Sequence, residues 1–166
     1  IESGLACDIF LVTGGVSVGK YDFVKELLAE AGVEIKFWQV NIKPGKPLVF
    51  GTFKNTLVFG LPGNPASTSV TFLQFVRPAI HKLLGRTSST PFRLSAILDE
   101  PIKKNDAKRH FVRGIASTKS RVLHVRTSGT QSSGAMSSLA KANCLIVLPE
   151  SVRSLKKGSK VFVELL

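Results

Sequence analysis

The segment that most constrains the fold runs from Asp8 to Asp22, DIFLVTGGVSVGKYD. Ile9-Phe10-Leu11-Val12 is a short apolar run of the kind that fills a buried parallel strand. Thr13 to Gly19 is a loop with three glycines, and Tyr21-Asp22 opens a run with helical spacing. A strand feeding a glycine loop and then a helix is an α/β unit. Its loop lets backbone N–H groups approach an oxyanion while the helix start adds partial positive charge. A tight strand-to-helix turn needs the same glycines, so this loop alone leaves both readings open. It is neither a Walker loop, since no Lys-Ser/Thr pair follows the last glycine, nor a dinucleotide fingerprint, since the spacing differs.

The spacing predicts a helix from Asp22 to Ala31 with Phe23, Val24, Leu27, Leu28 and Ala31 on one face, Asp22 as its N-cap and Gly32 as its C′ residue. Glu34 to Val40 reads as a strand, completing a βαβ unit. Lys43-Pro44-Gly45-Lys46-Pro47 is a rigid turn with two cations, and Leu48–Phe53 and Thr56–Gly60 pair as a hairpin across Lys54-Asn55. Leu61-Pro62-Gly63-Asn64-Pro65 places Asn64 as an N-cap and Pro65 at the first position of a helix running to Leu84 and closed by Gly85, which Pro78 kinks or interrupts.

The polar stretch Arg86 to Thr90 marks a boundary, giving domains 1–86 and 87–166. Beyond it come short β runs, Phe92–Leu98, Arg109–Ser117, Val122–Thr127, Asn143–Pro149 and Lys160–Leu165, with a short helix within Ser133–Lys141. The pattern reads as a small β-barrel or sandwich.

Charge bears on what the chain binds. The net charge is +12 over 166 residues. Residues 1–86 hold nine basic against six acidic residues, and 87–166 hold fourteen against five. A basic second half suits an anionic partner. With one Trp and one Tyr there is no interleaving of aromatic and basic residues, which disfavours a nucleic-acid surface. No apolar run is long enough to span a bilayer. Cys7 and Cys144 each flank an apolar run, so both are expected as buried thiols in a reducing compartment, the cytoplasm. The start at Ile1 reads as a fragment of a longer protein.

Five places carry candidate chemistry. The loop Gly14, Gly15, Ser17, Gly19 can cradle a phosphate or a pterin-type ligand, with Ser17 adding a hydroxyl. Asp22 is a helix cap or a carboxylate able to hold Mg²⁺ beside a phosphate. Lys43 and Lys46 flank a rigid turn, where two ammonium groups held close favour an anion over the alternative of a merely solvated basic turn. Pro62, Gly63, Asn64 and Ser67 form a second helix entry aimed at the same ligand, or an ordinary helix start. Arg109 and Arg113 precede the loop Thr127 to Ser133, rich in hydroxyls and glycine, which suits an oxyanion or, slightly favoured on the residues alone, is an ordinary solvated loop. His81, His110 and His124 are scattered, and no nucleophile–base set can be assembled from them.

With these segments in order, TGGVSVGKYD, IKPGKP, GLPGNPAS, SGTQSS and ANCLIVLPE, the chain resembles the molybdopterin molybdenumtransferase family, the group of MoeA, the gephyrin E-domain and the plant Cnx E-domain. The resemblance implies a partial MogA/MoaB-like three-layer α/β domain followed by the C-terminal β domain, with the N-terminal domains and the first half of the catalytic domain outside this chain. It implies insertion of molybdate into adenylylated molybdopterin, with release of AMP and assistance by Mg²⁺, in an elongated homodimer with a MogA-type adenylyltransferase as a possible partner. Carried over by residue, Asp22 serves the Mg²⁺ or phosphate end, and Lys43 and Lys46 bind molybdate or phosphate. Ser67, Arg113 and Ser133 help form an oxyanion pocket. Gln39 stands where several relatives place Lys or Arg, and Lys20 where Glu is usual. The alternative is a non-catalytic molybdopterin-binding and dimerisation scaffold of the gephyrin type. A pterin-adenylylating relative is disfavoured by the KPGKP turn and the appended β domain.

Overall fold

The computed structural model describes residues 2–16, 23–88, 91–132 and 134–166. The chain divides into two compact units. One comprises Ile1–Asn41 and Gly45–Ser89, and the other Ile42–Pro44 and Thr90–Leu166.

The first unit has a short 3₁₀ turn, Glu2–Ala6, before strand β1 (Ile9–Thr13). Helix α1 (Val24–Glu30) and strand β2 (Glu34–Trp38) follow. After β3 (Ile42–Lys43), which belongs to the other unit, come β4 (Val49–Phe53) and β5 (Thr56–Leu61). The sheet order is β1-β5-β4-β2. β1 and β5 are parallel, β4 runs against both β5 and β2, and β2 therefore runs parallel to β1. The expected β-α-β crossover is present, with the β4–β5 hairpin inserted between its two strands. The hairpin turns at Lys54, which takes φ 51°.

Alternation along β5 separates two cores. Val58 faces one with Leu28 of α1, Val33 and Val49. Leu57, Phe59 and Leu61 face the other, with Val76, Phe72 and Ile80. The result is helix, sheet, helix in three layers. α1 ends as its spacing predicts. The Gly32 N–H bonds Ala29 O and the Val33 N–H bonds Leu28 O, so two carbonyls of the last turn are satisfied. The expected cap Asp22 lies outside the described residues, and Phe23 occupies the N-cap position with no side-chain bond.

The second helical stretch is a continuous rod in three pieces: α2 (Pro65–Thr71), a π-helical segment (Phe72–Val76) and α3 (Arg77–Leu83). The expected interruption at Pro78 takes the form of this π turn just ahead of it, one of the recognised ways a helix accommodates a ring that cannot donate. The hydrogen-bonding role expected of Asn64 is not realised. It sits at the N-cap with extended backbone, yet its side chain makes no capping bond. The Thr68 hydroxyl instead donates to the carbonyls of Pro62 and Asn64, which ties the first turn of α2 to the chain entering it but caps none of its N–H groups.

The second unit is built on β6 (Leu94–Leu98), β7 (Ile102–Lys103), β8 (Arg109–Lys119), β9 (Val122–Thr127), α4 (Met136–Lys141), β10 (Cys144–Leu148), β11 (Ser154–Leu155) and β12 (Lys160–Leu165). The order β10-β12-β6-β9-β8 closes on itself through pairing of β10 with β8. This five-stranded barrel is the small β domain foreseen. Within the barrel β8 serves two neighbours, pairing β10 over residues 110–114 and β9 over 114–119, and β3 pairs with its first two residues. Gly114 is the corner. A Cβ there would lie 2.9 Å from Cys144 Sγ and 3.0 Å from Ile146 Cγ1, which a side chain cannot share. Leu98, Ile146, Leu148, Val125 and Val163 fill the barrel. β7 and β11 form a separate two-stranded ribbon.

One expectation is corrected here. Cys144 is buried, and burial raises its thiol to about 11. Cys7 is exposed, because it lies in the bend between the 3₁₀ turn and β1, ahead of the apolar run that enters the sheet.

Candidate functional site

In the first unit, β1 and β5 lie side by side and parallel, so Thr13 and Leu61 end at the same edge. Ligands of parallel α/β sheets bind beyond such carboxyl ends. The glycine loop leaves β1 there and the Pro62-Gly63-Asn64 turn leaves β5 there. The two loops touch: a Cβ on Gly63 would lie 3.2 Å from Gly14 Cα. Gly14 has φ 87° and Gly15 φ 64°, the left-handed region that glycine enters freely. The Gly14 N–H is spent on Leu61 O at 2.9 Å, extending the β1–β5 ladder by one rung. Its contribution is close backbone approach, and it has no amide left for a ligand. Val16 seals the loop from below, buried, with its carbonyl accepting the Trp38 indole N–H at 3.2 Å.

Beside this contact stands a polar atom without a partner. Asn64 Oδ1 is buried and unbonded. Buried polar atoms are nearly always paired, and an orphan at a loop edge fits a donor brought by a ligand. Pro62 is buried and Gly63 exposed, and Ser67 is buried in the first turn of α2. Lys46 is exposed, and its carbonyl accepts the Val40 N–H at 2.9 Å. Gln39 takes φ 88°. An open cavity of about 620 Å³ lined by Leu5, Glu30, Phe53 and Lys54 lies by the β4–β5 turn, away from the two loops. Ser17, Gly19, Lys20, Asp22 and Ser133 lie outside the described residues.

In the second unit, Arg113 is fully buried on β8. Its Nε donates to Ser138 Oγ at 3.0 Å, and its Nη2 donates to the carbonyls of Thr130 at 3.0 Å and Ser132 at 2.9 Å. Gln131 clasps the same residue through its backbone, accepting from Arg113 N at 2.9 Å and donating to Arg113 O at 3.2 Å. The loop after β9 is thus wrapped around a guanidinium. Desolvation lowers the Arg113 pKa from its ordinary value. No carboxylate bonds to it among the described residues, and Nη1 is buried without a partner. A buried cation with a spare donor is an arrangement that an anion would satisfy.

The other cation of interest, Lys43, sits on β3, parallel to β8 and directly opposite His110. Its Nζ lies 3.4 Å from Asp106 Oδ2. The structure assigns Lys43 to the second unit and Lys46 to the first. The sequence reading did not single out Asp106, and left His110 unassigned. The signal available was their spacing of four. It carries no meaning in a strand, and Asp106 and His110 meet because the loop before β8 folds back. Their geometry is tight, with His110 Nε2 2.7 Å from Asp106 Oδ1. Burial would raise the Asp106 carboxyl, but His110, the Lys108 N–H and Lys43 outweigh it and hold it well below the usual carboxylate range. A similar pairing of His124 with Asp99 at 2.7 Å, shared with Lys119, sits elsewhere on the barrel.

Residues 1–82 match the family model described as "Probable molybdopterin binding domain", and residues 95–166 match that of the "MoeA C-terminal region (domain IV)". The molybdopterin molybdenumtransferase of Haemophilus influenzae is 40% identical over 159 residues, which cover 95% of this chain and 39% of that protein. The Drosophila melanogaster molybdenum cofactor synthesis protein cinnamon is 38% identical, with 93% of this chain and 26% of that protein covered. Among solved structures, the molybdopterin biosynthesis MoeA protein of Pyrococcus horikoshii superposes with a TM-score of 0.74 at 28% identity, over 95% of this chain and 37% of that one. The chain therefore spans about two-fifths or less of these relatives, and with both family models matched in order along it, it belongs to the molybdopterin molybdenumtransferase family.

Proposed function

We propose that this chain carries part of the site at which molybdate is inserted into adenylylated molybdopterin with release of AMP. The observation that carries the reading is the contact of Gly14 with Gly63 at the carboxyl ends of β1 and β5, with the orphaned Asn64 Oδ1 beside it. Two loops that approach without side chains leave room for a ligand against the backbone, and the rod beginning at Pro65 directs its partial positive charge toward the same edge.

In this reading Gly14, Gly15, Ser17, Gly19, Pro62, Gly63 and Asn64 seat the pterin and its phosphate. Lys43, Lys46, Ser67, Arg113 and Ser133 receive oxyanions. Arg113 suits that role through its unspent Nη1, while its other donors fix the loop that carries Ser133. Transfer of an oxyanion to a dithiolene-bearing pterin needs charges held in place and no protein nucleophile, so fixed cations and helix dipoles are the appropriate equipment. Magnesium, when bound, would offset phosphate charge, and Asp22 would hold it. Among the described residues there is no group of three or more His, Cys, Asp or Glu that could hold a metal, and Asp22 lies outside them. The reading extends to a homodimer in the cytoplasm, supplied by a MogA-type adenylyltransferase, with this chain alone weakly active or inactive.

The test supplies the whole protein that contains this chain with adenylylated molybdopterin, Mg²⁺ and molybdate, and follows AMP. Molybdate-stimulated AMP release that is lost in Lys43→Ala and in Asp22→Ala is the expected result. No molybdate-stimulated AMP release would sink the transferase reading, and no AMP release at all would leave the non-catalytic scaffold.

A further inference from the structure

Among the described residues, Lys43 is a proposed anion ligand whose ammonium already faces an anion of the protein itself. Parallel pairing of β3 with β8 sets Lys43 opposite His110, so the two side chains share a face. Asp106 reaches both. Its Oδ1 accepts from His110 Nε2 at 2.7 Å and from the Lys108 N–H at 3.0 Å, and its Oδ2 faces Lys43 Nζ at 3.4 Å. The carboxylate is held by two short bonds and the ammonium by one long one. Lys43 is also the freer half of the pair, its side chain 53% exposed against 24% for Asp106. An ammonium has three donors and can turn toward a second acceptor.

We infer that Asp106 is a further residue of the anion site, a built-in counter-ion that competes with an incoming oxyanion for Lys43, and that His110 sets how much of its charge is left to compete. The inference rests on the reading of Lys43 as an anion ligand. Among the described residues, the charges facing His110 are Asp106, Lys43 and Lys104. Lys104 is itself buried, with its ammonium held by the carbonyls of Lys108, Pro149 and Glu150. Arg109, next in the strand, is paired with Glu150 at 3.3 Å. Burial pushes the His110 imidazole below its ordinary value, against the raising effect of Asp106, so it is neutral at pH 7. It then gives Asp106 a hydrogen bond but no charge, and the carboxylate is left to Lys43. Once protonated, the imidazolium takes up that charge at 2.7 Å and Lys43 is released to the oxyanion.

The experiment is calorimetric titration of the protein with molybdate, a dianion throughout, at fixed ionic strength and between about pH 5.5 and 8, a window that reaches below the ordinary histidine value. The variants are Lys43→Ala, Asp106→Asn and His110→Gln. Lys43→Ala is expected to weaken binding. Asp106→Asn is expected to tighten it by about five-fold at pH 8, the size of one charge pair near 4 Å in a water-like dielectric. It should also remove the strengthening that the wild type shows as pH falls. His110→Gln, which keeps a donor but cannot take a proton, should bind as the wild type does at pH 8 and lose the same pH dependence. If Lys43→Ala weakens binding while Asp106→Asn binds no tighter than wild type, or if His110→Gln keeps the wild-type pH slope, the inference fails and the anion site stands. If Lys43→Ala binds molybdate as well as wild type, Lys43 is no anion ligand and the inference falls with it.

Discussion

Arg113 and His110 show how a titratable side chain inside a small barrel changes its meaning. A sequence places arginine on the surface by default, and Arg113 was singled out for its company of hydroxyls and for its match to a basic position of the family. Buried, it becomes the hub on which residues 128–132 are hung, because a guanidinium's rigid fork can meet several carbonyls at once. His110 is a matter of protons. Its pKa in the folded chain lies below the ordinary 6.5, so the unfolded chain takes up the proton first as pH falls. Stability contributed by the neutral imidazole is therefore full above that value and declines as pH drops through the window beneath it. Denaturant midpoints should fall between about pH 7 and 5.5 in the wild type and stay flatter in His110→Gln. A parallel decline in both would assign the acid sensitivity to other groups. Asp106, depressed well below 3.8, adds a loss only at much lower pH.

Among the elements, β8 does the most to shape its unit, since it supplies both closing seams of the barrel. Gly114→Ala would press a methyl against Cys144 Sγ, Ile146 and Val125 at about 3 Å or less, and overpacking of this kind costs about 1–3 kcal/mol. Urea or thermal unfolding would show it, and a variant as stable as wild type would mean the corner can relax. The longer strands were legible in the sequence because apolar residues at regular spacing have one economical arrangement. Val122–Thr127 and Lys160–Leu165 stand where the pattern puts them. The two-residue strands β3, β7 and β11 were not, because two residues have no period and are defined by their partners alone. The same limit applied to the candidate site. That the glycine loop and the Pro-Gly-Asn-Pro turn converge follows from parallel strands sharing an edge, which chain order suggests. That Asn64 forgoes capping while the Thr68 hydroxyl turns back to the carbonyls of Pro62 and Asn64 depends on side-chain reach within one turn of helix, below what residue preferences resolve.

At the scale of the molecule, the chain passes from the first unit to the second at Asn41, back after Pro44, and out again at Ser89. A contiguous piece of residues 90–166 would contain every strand of the closed barrel but not β3. That piece is expected to fold yet to unfold at lower denaturant than the barrel within the whole chain, since it exposes the flank of Arg109 and His110 and leaves Asp106 without Lys43. Equal midpoints would show that β3 contributes nothing to the barrel. The visit of residues 42–44 has a further effect. It is a stitch laid along β8: the chain leaves one unit, pairs two residues with the other and returns. Cutting the chain near Gly45 would leave Lys43 attached from one side only. Tethering at both ends lowers the entropy lost when this two-residue strand pairs with β8, so a nicked protein with all its residues present is expected to hold the register of Lys43 against His110 less firmly.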